Sequence, residues 1–355
     1  MKNEADFKTV KGNRVNCQES PGKNPESSIY EARLTEDFLE SAPGSGYIHS
    51  MYKSAINIYF PGREEDKFRF RLITLICGDV GGIPDSLAVS PDFYDIISGM
   101  DLGDPFMTEP VRGGIRIYPK GAGSSLQVMR DYLISSGLKI KSADVGKQKC
   151  IMKKIEVFYD RIELFRSGSA EKGMKDGFSD FNEVLKDRFF RQLSDFCVAL
   201  ISADAKKIRS IVREIAGLGK GLTPSADDAV IGALAVFTGE VMAFGAEEGH
   251  RFNEMIPGTG SSSDFSIMDF VRFDDILPGR TTDVSIKYLC CAHEGRFSDT
   301  VRVLNESLWS AEEKPDIKTF DQLLIRAGSF GATSGLDMLA GMSAALRVIL
   351  LNKVT

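Results

Sequence analysis

The densest run of residues able to do chemistry is GLGKGLTPSADD, Gly217 to Asp228, a glycine-rich turn with one lysine that leads into a helix at Pro224. The first turn of a helix exposes unpaired N–H groups at the positive end of its dipole. Gly217, Gly219 and Gly221 let such a backbone approach a phosphate or carboxylate closely, and Lys220 adds a point charge. The order G-x-x-x-x-G-K-[ST] is absent and the preceding segment reads as helix, so this is neither a Walker A loop nor a dinucleotide fingerprint. The same residues also read as a helix end followed by a capped start, with Thr223 or Ser225 as the cap and Ser225 with Asp228 as a capping-box-like pair.

An internal echo adds weight to the first reading: SADDAVIG (Ser225 to Gly232) and SGLDMLAG (Ser334 to Gly341) share Ser, Asp and Gly in one register. In each, Ser and Asp sit three apart on one helix face, and a glycine follows four residues after the Asp, where another backbone can pack closely. Two such starts facing one pocket would make a composite site, although two ordinary caps look the same. A third start, PGRTTDVS, sets Thr281 and Thr282 behind Arg280, which suits either a fork-like grip on an anion or a plain threonine cap. Asp227, Asp228 and Asp337 either complement the helix dipole or hold magnesium against a phosphate.

Two kinds of periodicity describe the elements that must position these residues. Ile56, Ile58 and Phe60 alternate with Asn57 and Tyr59, PGREED turns the chain, and Phe70, Leu72, Thr74 and Ile76 resume the period of two, which predicts a β-hairpin. Short β-type runs follow at residues 87–89 and 115–118. GAGSS, Gly121 to Ser125, reads as a turn with a serine cap before a short helical pattern. Helical stripes then take over: Ile151, Ile155, Phe158, Ile162 and Phe165; Phe181, Leu185, Phe189, Leu193 and Leu200; and Ala205, Ile208, Ile211, Val212 and Ile215. GSAEKGMKDG reads as a linker between the first two stripes, and residues 247–279 form an unusually long connection. Further helices start near Pro224, Thr282 and Gly335. The expectation is an α+β protein: a loose tail over 1–45, a β-rich, barrel-like N-terminal domain with a helical extension over 46–177, and a mostly α-helical C-terminal domain over 178–355.

Composition limits the function. Among 355 residues, 44 Lys plus Arg against 50 Asp plus Glu give net −6 with no basic block, which argues against nucleic acid as a partner. Cys17, Cys77, Cys150, Cys197, Cys290 and Cys291 include no C-x-x-C pair and fit a reducing cytoplasm. His49, His250 and His293 lie far apart, so a His-based metal site is not expected, and His293 reads as a core residue. The first 28 residues lack the apolar core of a secretory signal. Ala229 to Ala246, with Glu240 and three glycines, reads as a buried core helix rather than a membrane span.

At these motifs the sequence resembles the AllH-like proteins, named for a subunit of the bacterial oxamate carbamoyltransferase. GLGKGLTPSADD looks like the family's G-x-G-x-G-L-T-P-S-G-D-D signature, RTTDVSIKYLCCAHEGRFSD resembles its R-T-T-x-x-S segment, and GATSGLDMLAG resembles its T-S-G-x-D-x-L-x-G segment. SGYIHSMYKSAINIYF and LITLICGDVGGIP are a looser match to the family's opening β region, so the likeness covers roughly 46–118 and 178–350. Ala226 stands where the signature has glycine. The resemblance implies a cytoplasmic subunit that works beside FdrA-like and AllG-like partners, in an enzyme of purine and allantoin catabolism that interconverts oxalurate and phosphate with oxamate and carbamoyl phosphate. It assigns no catalytic residue. Gly219, Gly221, Thr223, Ser225, Asp227, Asp228, Arg280, Thr281, Thr282, Ser334 and Asp337 match its motif positions. With Lys220 and Thr333, they form the set expected to bind a small anionic substrate, with no cofactor, no membrane and no resident metal. Two other readings of the residues stand beside it: an ATP- and Mg²⁺-dependent small-molecule kinase, since GLGKGLTPSA loosely resembles the phosphate loop of the galactokinase and homoserine kinase superfamily, and a non-catalytic structural subunit.

Overall fold

The computed structural model describes residues 29–41, 44–62, 70–77, 82–121, 123–171, 176–248, 273–310 and 316–353. By their contacts they fall into two compact units, one within 1–61, 73–80 and 85–134 and the other within 62–72, 81–84 and 135–355. Most of the 247–279 connection, together with Cys17 and His250, lies outside the described residues.

The first unit is a curled sheet of β1 (Ile29–Ala32), β2 (Ser45–Met51), β3 (Ala55–Pro61), β4 (Phe70–Cys77), β5 (Ser86–Val89), β6 (Pro105–Val111), β7 (Gly114–Pro119) and β8 (Leu126–Met129), in the order β1-β5-β4-β3-β2-β6-β7-β8. Its edges nearly meet. Just past β8, Leu133 bridges Ala32 of β1, and the Ile134 N–H donates to the Ala32 carbonyl at 2.8 Å, so the sheet is an almost closed barrel. The alternation seen in the sequence fills it: Ile56, Ile58 and Phe60 of β3 and Ile115 and Ile117 of β7 are completely buried. Helices α1 (Glu36–Ser41) and α2 (Pro91–Ser98) add Phe38, Phe93 and Ile97 to the same core. The expected β3 and β4 pair lies side by side.

Three short elements differ from the reading by pattern, one of them α1 (Glu36–Ser41), which lies within the 1–45 segment expected as a tail. β1 falls inside the segment taken as a tail, and its four residues IYEA are too few to show a period, yet they pair antiparallel with β5. After GAGSS comes strand β8 rather than a helix. Leu126 and Val128 point into the barrel while Gln127 faces out, and only a 3-10 turn, Arg130–Tyr132, follows. A four-residue apolar run fits either period, and pairing with β7 decides it.

The second unit is helical: α3 (Val145–Glu171), α4 (Glu183–Ile201), α5 (Ala205–Ile215), α6 (Ser225–Glu248), α7 (Phe273–Ile276), α8 (Asp283–His293), α9 (Asp299–Trp309), α10 (Ile317–Gly328) and α11 (Ser334–Lys353). The three expected starts head α6, α8 and α11, and the three stripes lie along α3, α4 and α5 and are mostly buried, except that Phe181 precedes α4 and Phe165, Leu185 and Ala205 are only partly buried. GSAEKGMKDG is in part helical, since α3 runs to Glu171. α6 is buried without a break over residues 225–237 and α11 over 335–343, so both are apolar on every side and stand at the centre. α11 is long and apolar enough to cross a membrane by length and composition, but 72% of that stretch is buried inside the unit, as in a core helix. Around this pair, Phe158 of α3 stacks on Phe320 of α10 with ring centroids 3.7 Å apart.

α4 begins where Asn182 accepts a hydrogen bond from the Leu185 N–H at 2.8 Å. Asn182→Ala removes this cap and should lower stability by about 1 kcal/mol. Urea unfolding checks it; an unchanged midpoint would show that water serves the first turn equally well.

Candidate functional site

The echo between SADDAVIG and SGLDMLAG is a reciprocal packing of two helices. Gly232 of α6 lies against the Met338 backbone and Gly341 of α11 against the Ala229 backbone, so closely that a Cβ on either would overlap the opposing carbonyl. These four residues occupy matching places in the two motifs, so the contact repeats itself about a pseudo-two-fold axis. The polar positions follow the same exchange. Ser225 stands beside Asp337: a Cβ on Gly177 would overlap Ser225 Oγ and sit 2.8 Å from Asp337 Oδ2. Ser334 serves Asp228 and also contacts Thr223, with the two hydroxyl oxygens 3.1 Å apart.

The start of α8 completes the convergence. Asp227 Oδ2 accepts from Ser285 Oγ at 2.6 Å and from Thr281 Oγ1, while its Oδ1 accepts from the Gly217 N–H at 3.0 Å. Thr282 caps α8 by accepting from the Ser285 N–H at 3.1 Å, and its own hydroxyl donates to the Leu222 carbonyl. α6 is opened by the Pro224 carbonyl, which accepts from the Asp228 N–H at 3.1 Å. The capping-box pair expected of Ser225 and Asp228 does not form: Ser225 Oγ has no partner among the described residues.

At the centre of the convergence are three buried carboxylates. Burial pushes the Asp227 carboxyl up, opposed by the Ser285, Thr281 and Gly217 donors. Asp228 is raised well above the usual carboxylate range by burial, with the Ser334 and Thr223 hydroxyls opposing and the neighbouring charge of Asp337 adding to it. Asp337 is raised to about 6 by burial, against the Gly177 N–H (2.9 Å) and the Ser225 and Thr333 hydroxyls.

Above this centre runs the glycine loop. Gly219 and Gly221 have φ of +119° and +100°, in the left-handed region that favours glycine. Among the described residues the N–H groups of Gly219, Lys220, Gly221, Leu222 and Thr223 donate to no acceptor. The two cations expected to supplement them have protein partners: Lys220 Nζ lies 2.9 Å from Asp180 Oδ2 on the surface, and Arg280 Nη1 donates to the Arg213 carbonyl at 2.8 Å. Ala226 is fully buried within α6, and the non-glycine residues with positive φ are Asp85 and Ala203 alone among those described, so its backbone has no need of the signature glycine.

Pattern reading missed three participants. Gly177 lies at the end of the apparent linker and is held by the 3-10 turn Gly177–Asp180, anchored by Phe178 stacking on Phe189 at 4.7 Å; the dense aromatics Phe178, Phe181, Phe189 and Phe190 were the available signal. Ser285 lay in the quoted RTTDVS run without a role. Asp180 had no signal at all. His293 ends α8 with its ring edge-on to Phe273, as a core histidine does.

These features define a helical module built on a repeated Ser-x-x-Asp-x-x-x-Gly helix start, locked by a third start. Residues 215–346, which carry all three motifs, match the family model described as oxamate carbamoyltransferase subunit AllH. The looser likeness over 46–118 falls outside the matched residues. No curated protein and no solved structure matches the chain.

Proposed function

We propose that this chain is the AllH-type subunit of a carbamoyltransferase complex and that it binds phosphate, carbamoyl phosphate or the carboxylate of oxamate or oxalurate at the loop 219–223. The observation that carries the reading is the run of five N–H groups without acceptors at the head of α6. Preorganised donors of this kind are suited to stabilising charge on a phosphoryl or carboxylate oxygen. The half-buried Thr281, Thr282 and Thr333 at the other two starts border the same region, and Lys220 adds its charge on release from Asp180. The matched family's description as a subunit supports partner chains; that these are FdrA-like and AllG-like and that the complex works in the cytoplasm belong to the proposal. The set proposed to act is therefore Gly219, Lys220, Gly221 and Thr223 in the loop, with Arg280, Thr281, Thr282, Thr333 and Ser334 around it and Ser225, Asp227, Asp228 and Asp337 beneath.

Isothermal titration with the four anions, on the chain alone and with partner subunits, tests this. Gly219→Ala should abolish binding, because a side chain at φ +119° is strained and its Cβ would stand 2.6 Å from the Ser225 nitrogen. Lys220→Ala should weaken it only about two- to fivefold, since an exposed charge contributes little. Absence of heat with all four ligands in both settings would end the proposal.

A further inference from the structure

We infer that Asp228 and Asp337, with the hydroxyls of Ser225, Ser334 and Thr223, bind one hard divalent cation of the Mg²⁺ type at the pseudo-two-fold junction of α6 and α11. Asp228, Asp337 and Ser225 are at most 2% exposed, and although the Ser225 hydroxyl lies near Asp337 and those of Ser334 and Thr223 near Asp228, no hydrogen bond of good geometry reaches Asp228 Oδ2, Asp337 Oδ2 or Ser225 Oγ among the described residues. No Lys or Arg among those residues pairs with either carboxylate. Buried carboxylate oxygens need a counter-charge or a donor facing them. A proton shared between the two acids would join them by a hydrogen bond, and none links them among the described residues. Asp227 is excluded as a ligand because both of its oxygens are already taken by Gly217, Ser285 and Thr281.

The donor set is all oxygen, which selects hard ions over zinc or copper. Only two carboxylates contribute, and among the described residues no group of three or more His, Cys, Asp and Glu side chains is placed to hold a metal ion. Mg²⁺ commonly takes one or two carboxylates and completes its shell with water and substrate phosphate. The glycine loop lies next to these donors: a Cβ on Gly219 would be 3.0 Å from Ser225 Oγ. A cation here would bridge to an anion held by the loop amides; only this bridging rests on the proposed function, and the cation site itself stands on the α6–α11 geometry.

The test is a Mn²⁺ titration of the full chain, stripped with a chelator and followed by electron paramagnetic resonance of the free ion, with and without inorganic phosphate. The expected result is one Mn²⁺ per chain, displaced by Mg²⁺, lost in Asp228→Asn and in Asp337→Asn and weakened in Ser225→Ala. No binding at millimolar Mn²⁺ by folded protein, or binding unaltered by both Asn variants, overturns the site. Should the Asn variants fail to fold, Ser225→Ala decides, and unaltered affinity there overturns it equally. Mn²⁺ binding with no phosphate binding would keep the cation site and remove the anion reading. Phosphate binding without any Mn²⁺ binding would do the reverse.

Discussion

Gly341→Ala is expected to destabilise the helical unit by about 3 kcal/mol, the upper end of what overpacking a closed core costs, and to lower its melting temperature by roughly 6–12 °C. The sign is the informative part. At an ordinary helix interior position, Gly→Ala stabilises by about 0.5–1 kcal/mol because it reduces the freedom of the unfolded chain. At Gly341 the added Cβ overlaps the Ala229 carbonyl, and backbone cannot rotate away as a side chain can. α6 and α11 must separate, which opens gaps along two helices that are buried on every side. Gly232→Ala should behave alike, because its Cβ meets Met338 in the mirrored position. The double variant should cost less than the sum, since one displacement of α11 from α6 relieves both clashes. Differential scanning calorimetry of the three variants measures this. A Gly341→Ala protein that melts at or above the parent would show that the two helices do not cross this closely.

Those two glycines were legible before any coordinates, because a helix places a glycine four residues after an aspartate at a definite point, and the echo repeats that point. The helix starts were legible for the same reason, since Pro224, Thr282 and the Ser334–Gly335 pair carry local chemistry. What connects the starts could not be read locally. Thr281 and Ser285 reach Asp227 across 54 and 58 residues, through a segment with no periodicity, and Gly177 reaches Asp337 across 160. Lys220 shows the converse limit. Its type and place in a glycine loop recommend it as an anion ligand, but Asp180, 40 residues earlier, stands within ion-pair distance. The strands β1 and β8 were obscured by length, since four residues do not establish a period, and only pairing with β5 and β7 defines them.

Asp227→Ala is expected to cost on the order of 3–5 kcal/mol, comparable with breaking a buried charged network. Asp227 is the single acceptor that ties three segments: the Gly217 turn after α5, its own helix α6, and the start of α8 through Thr281 and Ser285. Its removal leaves a backbone N–H and two hydroxyls without an acceptor in a site that is only 1% exposed, and each such orphan costs about 1–3 kcal/mol. Asp227→Asn separates charge from connectivity. The amide oxygen can keep the Gly217 N–H, and its NH₂ can donate to Thr281 and Ser285, whose hydroxyls accept as well as donate. The Asn variant should therefore retain more than half of the stability that Ala loses. Urea unfolding of the three proteins, read by far-ultraviolet circular dichroism, gives the comparison. If Asn were as damaging as Ala, the negative charge itself would be what the surrounding donors require. That outcome would place Asp227 among the groups that set the electrostatics of the junction and not only its geometry.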